Sequence, residues 1–287
     1  MGIATIYAGP DFFTDPSDTV SGIQMSGFTT VVGSSLDVDW QGDLQWAGNT
    51  LVSNGQWVGD PALLQNWPQL KGPGCSVQTF MLGLGTPQVD DFSYIAPLLA
   101  SYPNALATNI VALKQLLPAL DGFDLSDAFM KSDSGMIDFC NLAVANGLQI
   151  SFNPASATTA SSTLQYWQNV WSQWQSGNPG IAATVNLGDF AGIDPALYAQ
   201  WWNKLPGANW VCCIPYINEQ LPQPAGRCPG SYSGMLATMN QQKPIAGGAM
   251  YLYDDFVNSP PPYPHCQCGE GSPCYLPDYA AAIAAAP

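Results

Sequence analysis

Leu120-Asp121-Gly122-Phe123-Asp124-Leu125-Ser126-Asp127-Ala128-Phe129 is the stretch on which the reading of the fold turns. An apolar run breaks there into three carboxylates within seven positions, Asp121, Asp124 and Asp127. In a strand, successive side chains point to opposite faces, so Asp124 and Ser126 project one way while Phe123 and Leu125 project the other. One face can then carry chemistry while the other packs against helices.

Working outward, β-type runs alternate with helical patterns about eight times. Strands are expected at 3–8, 28–36, 76–84, 120–125, 148–152, 181–187, 210–215 and 246–253. Helices are expected at 15–25, 60–71, 90–102, 104–117, 132–146, 160–175, 195–204, 232–241 and 278–286. Asp60-Pro61 reads as a helix start and Gly147 as a helix stop. Between the second and third strands, residues 42–58 carry Asn54-Gly55, a type I′ turn signal, and read as an inserted β-hairpin. The alternation argues for parallel βαβ units and, by count and length, for an α/β fold: a single (β/α)8 TIM barrel spanning 1–287, with the hairpin after strand two and a Cys/Pro-rich loop at 257–277. An open, doubly wound sheet is the alternative, but no Gly-x-Gly-x-x-Gly follows the first strand and no phosphate-binding Gly-Lys-Ser/Thr loop exists.

Six Lys plus Arg stand against 21 Asp plus Glu, a net charge of -15, so nucleic acid and anionic membrane are disfavoured partners. No run is long and apolar enough for a transmembrane helix. Eight Cys suit an oxidising compartment, and Met1-Gly2 leads straight into a strand, as in the mature form of an exported protein. The expectation is a secreted monomer, extracellular or periplasmic. The cysteines are read as bridges, so two free thiols or fewer are expected. His265 with Cys266 and Cys268 has the ligand types of a zinc site without the spacing of a known finger; no metal and no cofactor is expected.

The Asp121-to-Ala128 stretch resembles the Asp-x-x-Asp-x-Asp-x-Glu signature on the fourth strand of family 18 glycoside hydrolases, the chitinase-like (β/α)8 barrels. Asp121, Gly122 and Asp124 match. Ser126 stands where that family has its last Asp, and Ala128 where it has the Glu that protonates the glycosidic oxygen. Residues 248–255 look like the family's eighth strand, with Tyr in place of a Trp that floors the sugar site. The Met-x-Tyr-Asp element that holds an acetamido group is missing from strand six. The resemblance implies a TIM barrel and a glycan ligand, and it leaves the reaction without its proton donor.

Barrel sites lie at the C-terminal ends of strands. The residues expected there are Asp37, Asp39 and Trp40; Asp121, Asp124, Ser126 and Asp127; Asn153; Asn186 and Asp189; Tyr216, Asn218 and Glu219; and Tyr251, Tyr253, Asp254 and Asp255. Aromatic rings would stack on sugars while Asp and Asn bind hydroxyls. Several of these acids read equally well as helix caps. Two functions follow: a carbohydrate-binding barrel that has lost its acid, or a glycoside hydrolase whose acid has moved to Asp127 or Glu219, acting with Asp124.

Overall fold

The computed structural model describes residues 2–85, 89–154, 161–188, 194–218, 225–258, 268 and 274–285. Strands β1 (Ile3–Ala8) and β2 (Thr30–Val38) are followed by three short ones, β3 (Leu44–Trp46), β4 (Asn49–Ser53) and β5 (Gln56–Trp57). Then come β6 (Thr79–Leu84), β7 (Gly122–Leu125), β8 (Gln149–Phe152), β9 (Thr184–Gly188) and β10 (Asn209–Pro215). A small pair, β11 (Ile217–Asn218) and β12 (Ala225–Gly226), precedes β13 (Gly247–Tyr251). β1, β2, β6 to β10 and β13 pair in parallel, each with the next, and β1 pairs with both β2 and β13, so the eight strands close a barrel. β3 to β5 continue antiparallel from the end of β2 as the inserted hairpin. Asn54 and Gly55 have φ of 49° and 75°, as a type I′ turn requires.

Helices fill the connections: α1 (Asp11–Thr14), α2 (Pro16–Gln24), α3 (Pro61–Asn66), α4 (Asp91–Ser101), α5 (Ala105–Leu116), α6 (Asp133–Ala145), α7 (Ser161–Gly177), α8 (Pro195–Lys204), α9 (Pro229–Gln242), α10 (Tyr253–Asn258) and α11 (Leu276–Ala284). Their starts are written in the sequence. The Asp60 and Asp194 carboxylates accept from Ala62 and Ala196 N–H, each ahead of a proline at the first helical position, and Ser132 Oγ accepts from Gly135 N–H.

Alternation along the strands makes two cores. The outward faces pack under the helices: Phe123 lies edge-on to Phe139 of α6, and Phe152 sits among Trp167, Trp171 and Trp174, so the α7 tryptophan stripe is core packing. The inward faces carry a smaller apolar belt, Tyr7, Val32, Met81, Val211, Cys213 and Ala249. Gly122 lies where β7 approaches β8 most closely, since a Cβ there would sit 2.1 Å from Gln149 O.

Two expectations are corrected. The eighth strand ends at Tyr251 and the chain turns into α10, so Tyr253 and Asp254 are helical; two carboxylates, Asp254 and Asp255, favour a helix start there. Cys75, Cys140, Cys212 and Cys213 are free thiols, while Cys268 bridges Cys274 and Cys228 is also disulfide-bonded. Cys212 and Cys213 are strand neighbours facing opposite cores, so neither can reach the other; burial pushes the Cys212 thiol up to about 12 and keeps it unreactive.

Candidate functional site

Asp124 points into the barrel and is 2% exposed. Its Oδ2 accepts from Tyr7 Oη at 2.8 Å and from Asn153 Nδ2 at 3.2 Å. Its Oδ1 accepts from Asn186 Nδ2 at 2.8 Å and from Ser151 Oγ. A carboxylate has about four acceptor positions, and here all are used. Burial pushes the Asp124 carboxyl above the usual carboxylate range, while the four donors pull against that shift. Burial, and then the Asp124 charge, hold the Tyr7 phenol well above its ordinary value, so it stays a donor.

Above this network, a cavity of about 620 Å³ opens at the strand ends between Ser34, Ser35 and Asp37 of β2, Trp46 and Gly48 of the hairpin, and Tyr251 of β13. The Tyr251 and Tyr7 rings lie 5.5 Å apart, linking the mouth to the interior network. Trp46 stacks on Phe13 at 4.7 Å and 7°. Trp46 and Gly48 also wall a second cavity of about 590 Å³, between the hairpin and α3.

The expected site residues divide. Asp37 and Tyr251 line the mouth cavity, while Asp124, Asn153 and Asn186 meet in the buried network that Tyr7 joins. Ser126, half-buried, lies just beyond the strand end, and Ala128 is exposed in the loop that follows. Asp127 faces the helix layer: its Oδ1 accepts from Phe129 and Met130 N–H at 2.9 and 2.8 Å, and its Oδ2 from Tyr166 Oη at 2.6 Å. Asp39 shapes the turn after β2 by accepting from Gln41 and Asp43 N–H and from Gln45 Nε2, and its neighbour Trp40 is 68% exposed.

Asp121 lies at the opposite end of the barrel, before β7, where it pairs with Lys71 at 2.7 Å and accepts from Phe80 N–H. Asp254 ties the end of β1 to α10, accepting from Gly9 and Asp11 N–H at 2.7 and 2.8 Å. Tyr253 packs against Gly22 of α2, and Tyr216 against Phe256 and Tyr279, both away from the mouth. Asp189, Glu219 and His265 lie outside the described residues, as does the Asn218 side chain.

Tyr7, Ser151, Trp46 and Asp91 were not among the expected site residues. Ser151 could have been found, since it stands two positions before Asn153 and shares its face. Asp91, 1% exposed at the start of α4, accepts from Val38 N–H at 2.5 Å, and its Oδ2 has no partner among the described residues. Burial, with Asp37 and Asp127 nearby, pushes its carboxyl up to about 8, which favours the neutral form far above the ordinary carboxylate range.

A closed eight-stranded parallel barrel with this arrangement beneath its mouth has the chitinase-like (β/α)8 fold. No protein-family model and no curated protein sequence matches the chain. Among solved structures, it is similar to a GH18 chitinase from Pseudoalteromonas aurantia (11% identity, TM-score 0.61, covering 89% of this chain and 95% of that one). It is also similar to a chitinase from Bacteroides thetaiotaomicron (12%, 0.54, 88% and 90%). A third likeness is to the Bacillus cereus spore cortex-lytic enzyme SleL (8%, 0.59, 98% and 73%). At these identities the likeness is one of fold.

Proposed function

We propose that the barrel mouth binds a neutral carbohydrate chain without hydrolysing it. The observation that carries this reading is the loop after β7: position 128, where chitinase-like barrels hold the acid, is an exposed alanine. The adjacent carboxylate, Asp127, faces the helices with both oxygens occupied. Asp124, with all its acceptor positions filled, organises the floor and cannot donate to a glycosidic oxygen unless that network breaks. Two aromatic walls, Trp46 and Tyr251, with hydroxyls at Ser34 and Ser35 and a carboxylate at Asp37, suit a polyhydroxylated ring: apolar faces stack and polar edges hydrogen-bond.

The second cavity shares Trp46 and Gly48 with the first, and a carbohydrate chain longer than one ring could lie along both. The acidic surface and disulfides support a secreted monomer. The alternative, a hydrolase with a relocated acid, rests on Glu219, outside the described residues. Calorimetric titration with N-acetylglucosamine and β-glucan oligosaccharides tests the reading. Saturable binding of one series, tighter for longer chains, is expected; absence of binding to both overturns it.

A further inference from the structure

A TIM barrel is ordinarily filled by layers of bulky branched side chains and has no free space inside. Here a cavity of about 340 Å³ opens among the N-terminal ends of the strands, away from the mouth. Its walls carry the hydroxyls of Thr5, Thr30, Thr79 and Thr184, and its rim the amides of Gln149 and Asn209. No lining residue is charged, so an ion entering would lose its hydration with no counter-charge to replace it.

At the inner end lie Ser151 and Asn186, 1% and 2% exposed. Both donate upward to Asp124 Oδ1. The other arm of the Asn186 amide, Oδ1, is buried and has no hydrogen-bond partner among the described residues.

We propose that this well is a second binding site, for a small neutral polyhydroxylated molecule the size of a monosaccharide or sugar alcohol, held by the hydroxyls and amides of its lining. The chemistry of the lining matches: hydroxyls and amides both donate and accept, as the ligand's hydroxyls do, and the volume lies at the small end of ligand sites. The ligand takes over hydrogen bonds that water otherwise makes there, which gives weak, millimolar binding rather than tight binding. The proposal is independent of what the mouth binds.

The methyl of Met81 reports on the well, since Met81 lines it and its Sδ lies 3.6 Å from Ser151 Oγ. Protein labelled with 13C at the methionine methyls, with the Met81 signal assigned by Met81→Leu, is titrated with glycerol, erythritol and glucose, and with gluconate as an anionic control. A saturable shift of the Met81 signal is expected with at least one neutral probe and none with gluconate. Thr5→Val with Thr184→Val should weaken that binding at least tenfold. Asn209→Leu, at the exposed rim, should weaken it too and serves if the double variant does not fold. A linear, non-saturating response means the well holds water only and overturns the proposal. So does a saturable shift unchanged in the variants, which would place the ligand elsewhere.

Discussion

Two buried aspartates, Asp124 and Asp91, differ in how far hydrogen bonds offset their burial. Asp124 has four donors; Asp91 has one, from Val38, and an Oδ2 with no partner among the described residues. Asp91 is also faced by Asp37 at the end of β2 and Asp127 after β7, while its neighbour Asp90 pairs with Lys131 at 3.2 Å. Its folded value of about 8 lies above the ordinary carboxylate value near 4. Between those limits the folded chain holds a proton that the unfolded chain has released. Stability therefore falls as pH rises from about 4 to about 8 and levels off above, a contribution on the order of a few kcal/mol. Asp124, raised in the same direction, acts with the same sign. Asp91→Asn keeps an acceptor for Val38 N–H and cannot ionise. In urea denaturation it should match wild type near pH 4, exceed it by at least about 1 kcal/mol at pH 8, and show a flatter slope between.

The strands and helices were largely legible because each start and stop has a local cause. The alternating pattern gave the strands, and Asp60-Pro61, Gly147 and Asn54-Gly55 marked a helix start, a helix stop and a turn. What escaped depends on closure of the ring. Asp121 and Asp124 stand three positions apart in one motif, yet β7 begins between them: one pairs with Lys71 below the barrel, the other sits inside it. Tyr7 and Asp124 are 117 positions apart, and nothing local in the first strand announces their bond. Tyr253 and Asp254 were misplaced because an apolar-aromatic run ending in two acids fits a strand end and a helix start equally well. β7 itself offers a test. Gly122→Ala brings a Cβ against Gln149 O, a backbone atom that moves only with β8, and should destabilise by roughly 3 kcal/mol in the same denaturation assay.

For the molecule as a whole, strand and helix count, length and the strand-four motif sufficed for the barrel, whereas cysteine count overstated the crosslinking. Thiol titration of denatured, unreduced protein should find four thiols, from Cys75, Cys140, Cys212 and Cys213. Native protein should expose mainly Cys75, since the other three are buried. Among the described residues no helix is long and apolar enough to cross a membrane.

We propose that this barrel binds glycan at its mouth without a general acid at position 128, where an exposed alanine stands. Product analysis of wild type and Ala128→Glu/Ser126→Asp, each incubated with N-acetylglucosamine and β-glucan hexamers, tests it most directly. The account predicts binding without cleavage by wild type. In the double variant a carboxylic acid returns beside Asp124, and a well-placed general acid contributes roughly a hundred-fold to ten-thousand-fold, so measurable cleavage should appear. Efficient cleavage by wild type, abolished by Asp127→Asn or Glu219→Gln and unaffected at position 128, would contradict the account.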